Sequence, residues 1–376
     1  MRVLMLLALG LWLTGCGAGK DEPLELRIGL IAPISGALTD TGRTTLEGAE
    51  LAVAEINRNG TLRVEGRQVR LVLVTEDNED RSEAAVSAVL KLVNQEGVAV
   101  IVGPQASRNA IPAARAANEL KIPLISPAST HPETTRHHDW VFRVAFTDSF
   151  QAQVLARLSR EYLGMQRVAV LFDIASAYNR NLAEEFRDRF RALGGEIVAF
   201  EAYTRDAPDI GEPLARIAGS GAEGVFLPNY YNEVPQQIRQ LRAQGMDPVW
   251  IGSDSWAQIP PVHRRLMEGA YFSALFFADS DEPKVREFVA RYRERYEREP
   301  TDIAALTYDG VGLLAAAVSA AGSLEPGAIR DSLATLDRYQ GVTGEVTYTG
   351  SGDPVKSATI LRVEDGRFVF HARIEP

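Results

Sequence analysis

Several short apolar runs in this sequence end in side chains able to hold a polar solute. IPLIS at 122–126 leads to Ala128, Ser129 and Thr130, and AVIVGP at 99–104 leads to Ser107. An earlier run passes into APISGALTDTG at 32–42, with Ser35, Thr39 and Thr41. In the second half, VLFD at 170–173 is followed by Tyr178, and GVFLPN at 224–229 by Tyr230 and Tyr231. VWIGS at 249–253 opens onto Asp254, Ser255 and Trp256. Hydroxyls come from the first half, tyrosines and one carboxylate from the second. A small zwitterion fits such a set. Ser107 and the free N–H groups of the helix turn it opens favour a carboxylate. Thr130 adds a hydroxyl, and Asp254 can pair with an ammonium through a charge-assisted hydrogen bond. The plain alternatives are that Ser107 caps a helix, Asp254 serves a turn and the tyrosines pack an edge.

Catalytic patterns are poor. There is no GxGxxG after the first apolar run and no GxxxxGK[ST], so nucleotide phosphates lack their usual cradle. GSDSW at 252–256 does not fit GxSxG. HPETTRHHD at 131–139 gathers His131, His137, His138 and Asp139, but without the HExxH spacing. A solvated loop is the expected reading there, not a metal site. Neither a metal nor a cofactor is expected.

These residues need elements to position them. The apolar runs LRIGLIAP, QVRLVLVTE, VAVIVG and IPLIS, then VAVLFD, EIVAF, GVFLP and VWIG, are mostly continuous, as in strands buried on both faces of a parallel sheet. Helical patterns fall between them at 44–57, 81–95, 107–120, 149–162, 179–193, 211–219 and 232–244. The series predicts a doubly wound α/β arrangement, run once from Leu26 to about Ser126 and again from Val168 to about Gly252. Such sheets hold ligands beyond the carboxyl ends of their strands, where these hydroxyls, tyrosines and Asp254 stand. The tail predicts helices at 282–297, 301–321 and 329–336, then strands GEVTYT, SATILRV and RFVFHARI. The apolar stretch 311–321 is too short to span a bilayer and reads as a core helix.

Residues 1–15 form an apolar leader ending in Leu13-Thr14-Gly15, just before Cys16, the single cysteine. They read as a secretory signal peptide, and the four residues resemble the bacterial lipobox, which implies cleavage before Cys16 and lipid on its side chain. Residues 16–23 would be a lipidated tether. One cysteine excludes a disulfide framework. The chain's 376 residues exceed one ordinary core, so two domains are expected. A net charge of −10 without a basic stripe argues against nucleic acid.

Along nearly its whole length the chain resembles the branched-chain amino-acid type of bacterial solute-binding protein that serves ABC transporters. IGLIAPISGALTDTGRTTLEGAELAVAEINRNG, VGPQASRNAIPAARAANELKIPLISPASTHPE, LFDIASAYNRNLAEEF, ALTYDGVGLLAAAVSAAG and GDPVKSATILRVEDGRF carry the likeness in order. It implies a type I periplasmic binding protein, or Venus-flytrap, fold: two Rossmann-like lobes joined by three hinge crossings, closing on a ligand. One lobe would hold residues 24–146 plus 277–354, the other 147–276 plus 355–376. The resemblance also implies that Ser107, the Ala128 main chain and Thr130 hold the ligand carboxylate; Ser129, between them, is expected among the ligand-binding residues by its place at the strand end. The resemblance gives the ammonium to Asp254 with Tyr230, adds a contact from Tyr178 and sets Asp148 near the first crossing. Thr41 stands where that family often has an aromatic over the ligand side chain, which argues against a branched aliphatic ligand.

The leading expectation is thus an extracytoplasmic, monomeric lipoprotein on a bacterial membrane. It would bind an amino acid or close relative without turnover and deliver it to an ABC permease and its ATPase subunits. The alternatives are a sensor for an amide, urea or similar solute, and an exported hydrolase.

Overall fold

The computed structural model describes residues 22–205 and 210–376; the leader, Cys16 and most of the tether lie outside them. The first parallel sheet is built from β1 (Leu24–Ala32), the hairpin β2 (Arg63–Val64) and β3 (Arg67–Asp77), β4 (Val100–Val102), β5 (Leu124–Ser126) and β6 (Val141–Arg143). Their order is β2-β3-β1-β4-β5-β6, and only β2 pairs antiparallel. The second sheet takes β7 (Arg167–Asp173), β8 (Glu196–Tyr203), β9 (Gly224–Leu227), β10 (Val249–Gly252) and β11 (Tyr271–Ala274). These run in the order β8-β7-β9-β10-β11. Leaving aside the β2 strand, each sheet places its second strand beside the first on one side and its third on the other. The reversal at the first strand leaves a crevice where outgoing loops diverge, and it occurs twice.

Helices connect the strands. α1 (Thr39–Asn59), α2 (Ser82–Asn94) and α3 (Ser107–Leu120) serve the first sheet. α4 (Asp148–Arg157), α5 (Ala177–Ala192), α6 (Gly211–Gly219), α7 (Val234–Ala243) and the short α8 (Pro261–Arg264) serve the second. The sequence gives no separate signal for β6 and β11, which have only three and four residues; too short for a periodicity, they are strands because neighbours pair with them.

After β11 the chain returns to the first sheet's side through α9 (Pro283–Tyr296), α10 (Asp302–Ala321) and α11 (Pro326–Ala334). Phe288, Val289 and Tyr292 of α9 bury with Leu51 of α1 and Ala304 of α10, and Tyr308 donates to Glu55 at 2.6 Å. α10 is long and apolar enough to cross a membrane, yet most of it is buried in the protein. It is a core helix, as expected. A small sheet of β12 (Tyr339–Gly341), β13 (Gly344–Tyr348) and β14 (Pro354–Val355) follows. The chain then passes to the second sheet, where β15 (Ala358–Glu364) pairs antiparallel with β11, and β16 (Arg367–Ile374) with β15. The chain therefore moves between the two sheets three times. The mixed α/β fold of two doubly wound units matches the expectation.

Candidate ligand-binding cleft

The loops leaving β4, β5, β7, β9 and β10 meet around one cavity of about 390 Å³, counting its mouth. Thr41, Ser107, Ala128, Thr130, Tyr178, Tyr230 and Asp254 all line it. Two glycines make the strand ends tight enough. Gly103, which ends the β4 run, has φ +95°, and a Cβ there would stand 2.2 Å from the Ile31 carbonyl of β1. A Cβ on Gly252 would stand 2.1 Å from the Trp256 ring. That ring is fully buried, with its indole N–H on the Leu227 carbonyl at 3.1 Å. Trp256 is packing.

On the first-sheet side, Ser107 is the first residue of α3 and not its cap, a place held by Ala106. Its hydroxyl oxygen accepts from Ser129 at 2.9 Å. Ser129 lies 2.7 Å from the Thr134 hydroxyl, and with its own proton given to Ser107 it must accept from Thr134. The relay runs Thr134 to Ser129 to Ser107, leaving the Ser107 proton free for a ligand acceptor. Ser129, expected as a ligand contact, instead stands behind Ser107 and does not line the cavity. The Thr130 carbonyl accepts from the Asp148 N–H at 2.8 Å, tying this loop to α4.

On the facing side, Asp254 opens the turn after β10. Its Oδ1 accepts from Gln151 Nε2 and from the Tyr178 hydroxyl, each at 2.6 Å. Both side chains lie against Oδ1, and the backbone N–H groups of Asp254 and Ser255 also reach the carboxylate. The Tyr178 and Tyr230 ring centroids are 5.3 Å apart, and the Arg108 guanidinium lies 4.9 Å above Tyr230. The Tyr230 hydroxyl is buried and unpartnered among the described residues.

Three buried carboxyls share this region. Burial raises Asp254, against the opposing hydrogen bonds of Tyr178 and Gln151. Burial pushes Asp148 up to about 7, with the Thr130 hydroxyl opposing and Asp254 adding. Asp302, at the start of α10, rises to about 8 through burial and then the charge of Asp254. Buried acids gathered in this way favour a cation among them.

Sequence reasoning missed several parts. Gln105, Gln258, Leu38 and Ile303 also line the cavity, together with Ser255, which the sequence sets beside Asp254; Gln105 sits in a loop already singled out, beside Ser107. Nothing in the sequence marks Gln151. Arg143, fully buried, donates to the carbonyls of Ser129 at 2.9 Å and His131 at 3.0 Å and pairs with Asp353 at 2.6 Å. It fixes the loop that carries Thr130. Ser35 is turned to Asp77 at 2.7 Å, and neither it nor Thr39 lines the cavity. In the histidine cluster His137 and Asp139 are exposed, as in the solvated loop expected, but His131 is buried, accepts the Glu133 N–H at 3.1 Å, and burial drives it down to about 4. It shapes the 132–134 turn that presents Thr134. Among the described residues no group of three His, Cys, Asp or Glu is arranged to hold a metal.

A family model described as a periplasmic binding protein matches residues 25–367. The leucine-specific-binding protein of Salmonella typhimurium is 28% identical over 239 residues, 63% of this chain and 62% of the relative. The match thus spans less than two thirds of that relative's length. Leu/Ile/Val-binding protein homolog 2 of Brucella abortus is 26% identical over 358 residues, 93% of this chain and 94% of the relative. The branched-chain amino acid transporter substrate binding protein LivJ from Streptococcus pneumoniae, solved in complex with isoleucine, superposes with a TM-score of 0.85. It is 31% identical, over 94% of this chain and 100% of that structure.

Proposed function

Because the chain belongs to the periplasmic binding protein family, we propose that it is the extracytoplasmic substrate-binding component of an ABC transporter, taking an amino acid without turnover. The observation that carries this reading is the two-poled cleft. Ser107 and the main chain of the Ala128–Thr130 loop offer donors from one sheet's side; Asp254, Tyr178 and Tyr230 offer a carboxylate and aromatic walls from the other's. A bound α-amino acid would put its carboxylate on the first set and its ammonium on the Asp254 carboxylate. Either half alone holds only one end of the ligand, so the ligand stabilises the closed arrangement of the two. The moving bodies would be residues 24–146 with 277–354, and 147–276 with 355–376, turning at the three passages. Delivery to a permease, lipid on Cys16 and action as a monomer belong to the same proposal. The names of the leucine and Leu/Ile/Val relatives support an amino-acid ligand.

The test is a thermal-shift and calorimetric screen of the purified protein against the common amino acids, their N-acetyl and deaminated analogues, and small amides. A ligand at a hundred times its Kd adds about 2.7 kcal/mol of stability. One group of amino acids should raise the melting temperature, and their N-acetylated forms should fail. A rise with amides alone would replace amino-acid transport by sensing of such solutes.

A further inference from the structure

Beyond the head-group residues, the cavity walls are Leu38, Thr41, Gln105, Gln258 and Ile303. Gln105 is buried, and its amide donates to the Thr307 hydroxyl at 3.2 Å. The Thr307 proton goes to the Ile303 carbonyl at 2.7 Å, so Thr307 accepts from Gln105 and the amide's orientation is fixed. Gln105 Oε1 is then left buried with no partner among the described residues. In the same lining, the Thr41 hydroxyl donates to Gln258 Oε1 at 2.7 Å. The two N–H groups of Gln258 have no protein partner among the described residues. The wall thus presents one orphaned acceptor and a free amide NH2 with two donors, with Leu38 and Ile303 as apolar sides.

Accepting the amino-acid reading above, we propose that the ligand's side chain is short, uncharged and polar, ending in a carboxamide or hydroxyl, and that Gln105 and Gln258 select it. Such a group donates to Gln105 Oε1 and accepts from Gln258. An aliphatic side chain would leave Gln105 Oε1 buried and unpaired, the arrangement that discriminates most strongly against an analogue lacking the group. A side-chain carboxylate would meet the Gln105 oxygen. A side-chain ammonium could donate to that oxygen but would lack a counter-charge, because Asp254, taken by the α-ammonium, is the only charged residue lining the cavity among those described.

The experiment compares near-isosteres by calorimetry on the purified protein: threonine against valine, and asparagine against leucine. The polar member of at least one pair should bind about 10-fold tighter or more. Gln105→Leu should reverse that order, and Gln258→Leu should shift it the same way, with circular dichroism and thermal unfolding checking that both variants fold. Valine and leucine binding as tightly as their polar counterparts would overturn the proposal while leaving amino-acid binding standing. Wild-type preference surviving in both folded variants would overturn the assignment to Gln105 and Gln258. Binding of no amino acid at all would overturn the head-group reading, and this one with it.

Discussion

The phenolic oxygen of Tyr178 lies 2.6 Å from Oδ1 of Asp254, a contact that links the start of α5 to the turn after β10. With Gln151 on the same oxygen, it fixes the carboxylate at the cavity wall and opposes the rise that burial imposes on Asp254. Tyr178→Phe should therefore weaken ligand binding by roughly 5- to 30-fold. Ammonium binding needs the ionised carboxylate. Losing a donor raises the Asp254 pKa further, so affinity should begin to fall at a higher pH on acidification than in the parent. Calorimetry across pH 5–8 reads this; an equal loss at every pH would mean that Tyr178 acts through packing alone.

Asp254→Ala and Ser107→Ala remove the two poles themselves. The first leaves the ligand's ammonium buried without its charged partner and the second takes from its carboxylate the hydroxyl donor, and an affinity loss of about 100-fold or more is expected of each. Affinities within a few-fold of the parent in both variants would show that the ligand sits elsewhere.

Ser129→Ala tests the relay. Ser129 does not line the cavity, so the change removes the donor that orients Ser107 and the acceptor of the Thr134 hydroxyl without touching the ligand. The expected loss is modest, about 3- to 10-fold in Kd. A loss as large as that of Ser107→Ala would instead make Ser129 a direct contact.

Asp302 should give the ligand-free protein a pH-dependent stability. Its folded pKa, about 8, lies above the unfolded value of 3.8, chiefly through burial. Its contribution is fully present below about pH 4 and is lost as pH rises through about 8. Denaturant unfolding of Asp302→Asn should show a smaller decline over that window, with the variant gaining on the parent on the order of a few kcal/mol at the alkaline end. Parallel pH profiles for the two proteins would refute the assignment.

Arg143→Met should destabilise the protein by about 3 kcal/mol, measured by denaturant midpoint. The guanidinium is fully buried, and its loss strips Asp353 and the carbonyls of Ser129 and His131 of their donor. Affinity should fall too, because that loop carries Thr130.

Much of this was legible in the chain. Continuous apolar runs announced parallel strands, and the bounds of α3 and α6 agree residue for residue with the helical pattern. The polar residues following β4, β5, β7, β9 and β10 were visible because a strand's end places its next residues at the sheet's edge. β6 and β11 were not visible, since three or four residues carry no periodicity and pair only because a neighbour offers its edge. Arg143 gave no sign of its role: a lone arginine in VFRV is a solvated charge until folding surrounds it with carbonyls.

The sequence by itself determined the two α/β units, the strand ends that bear Ser107, Thr130, Tyr178, Tyr230 and Asp254, and the opposite chemistry of the halves. Local pattern sets these, because hydrophobic period and turn residues act over a few positions. Only the tertiary structure decided which hydroxyl faces the cavity and which stands behind it, and that Gln105, Gln151 and Gln258 belong there. Those choices rest on contacts between residues as far apart as Thr41 and Gln258, where a side chain's role is set by the partner that satisfies it.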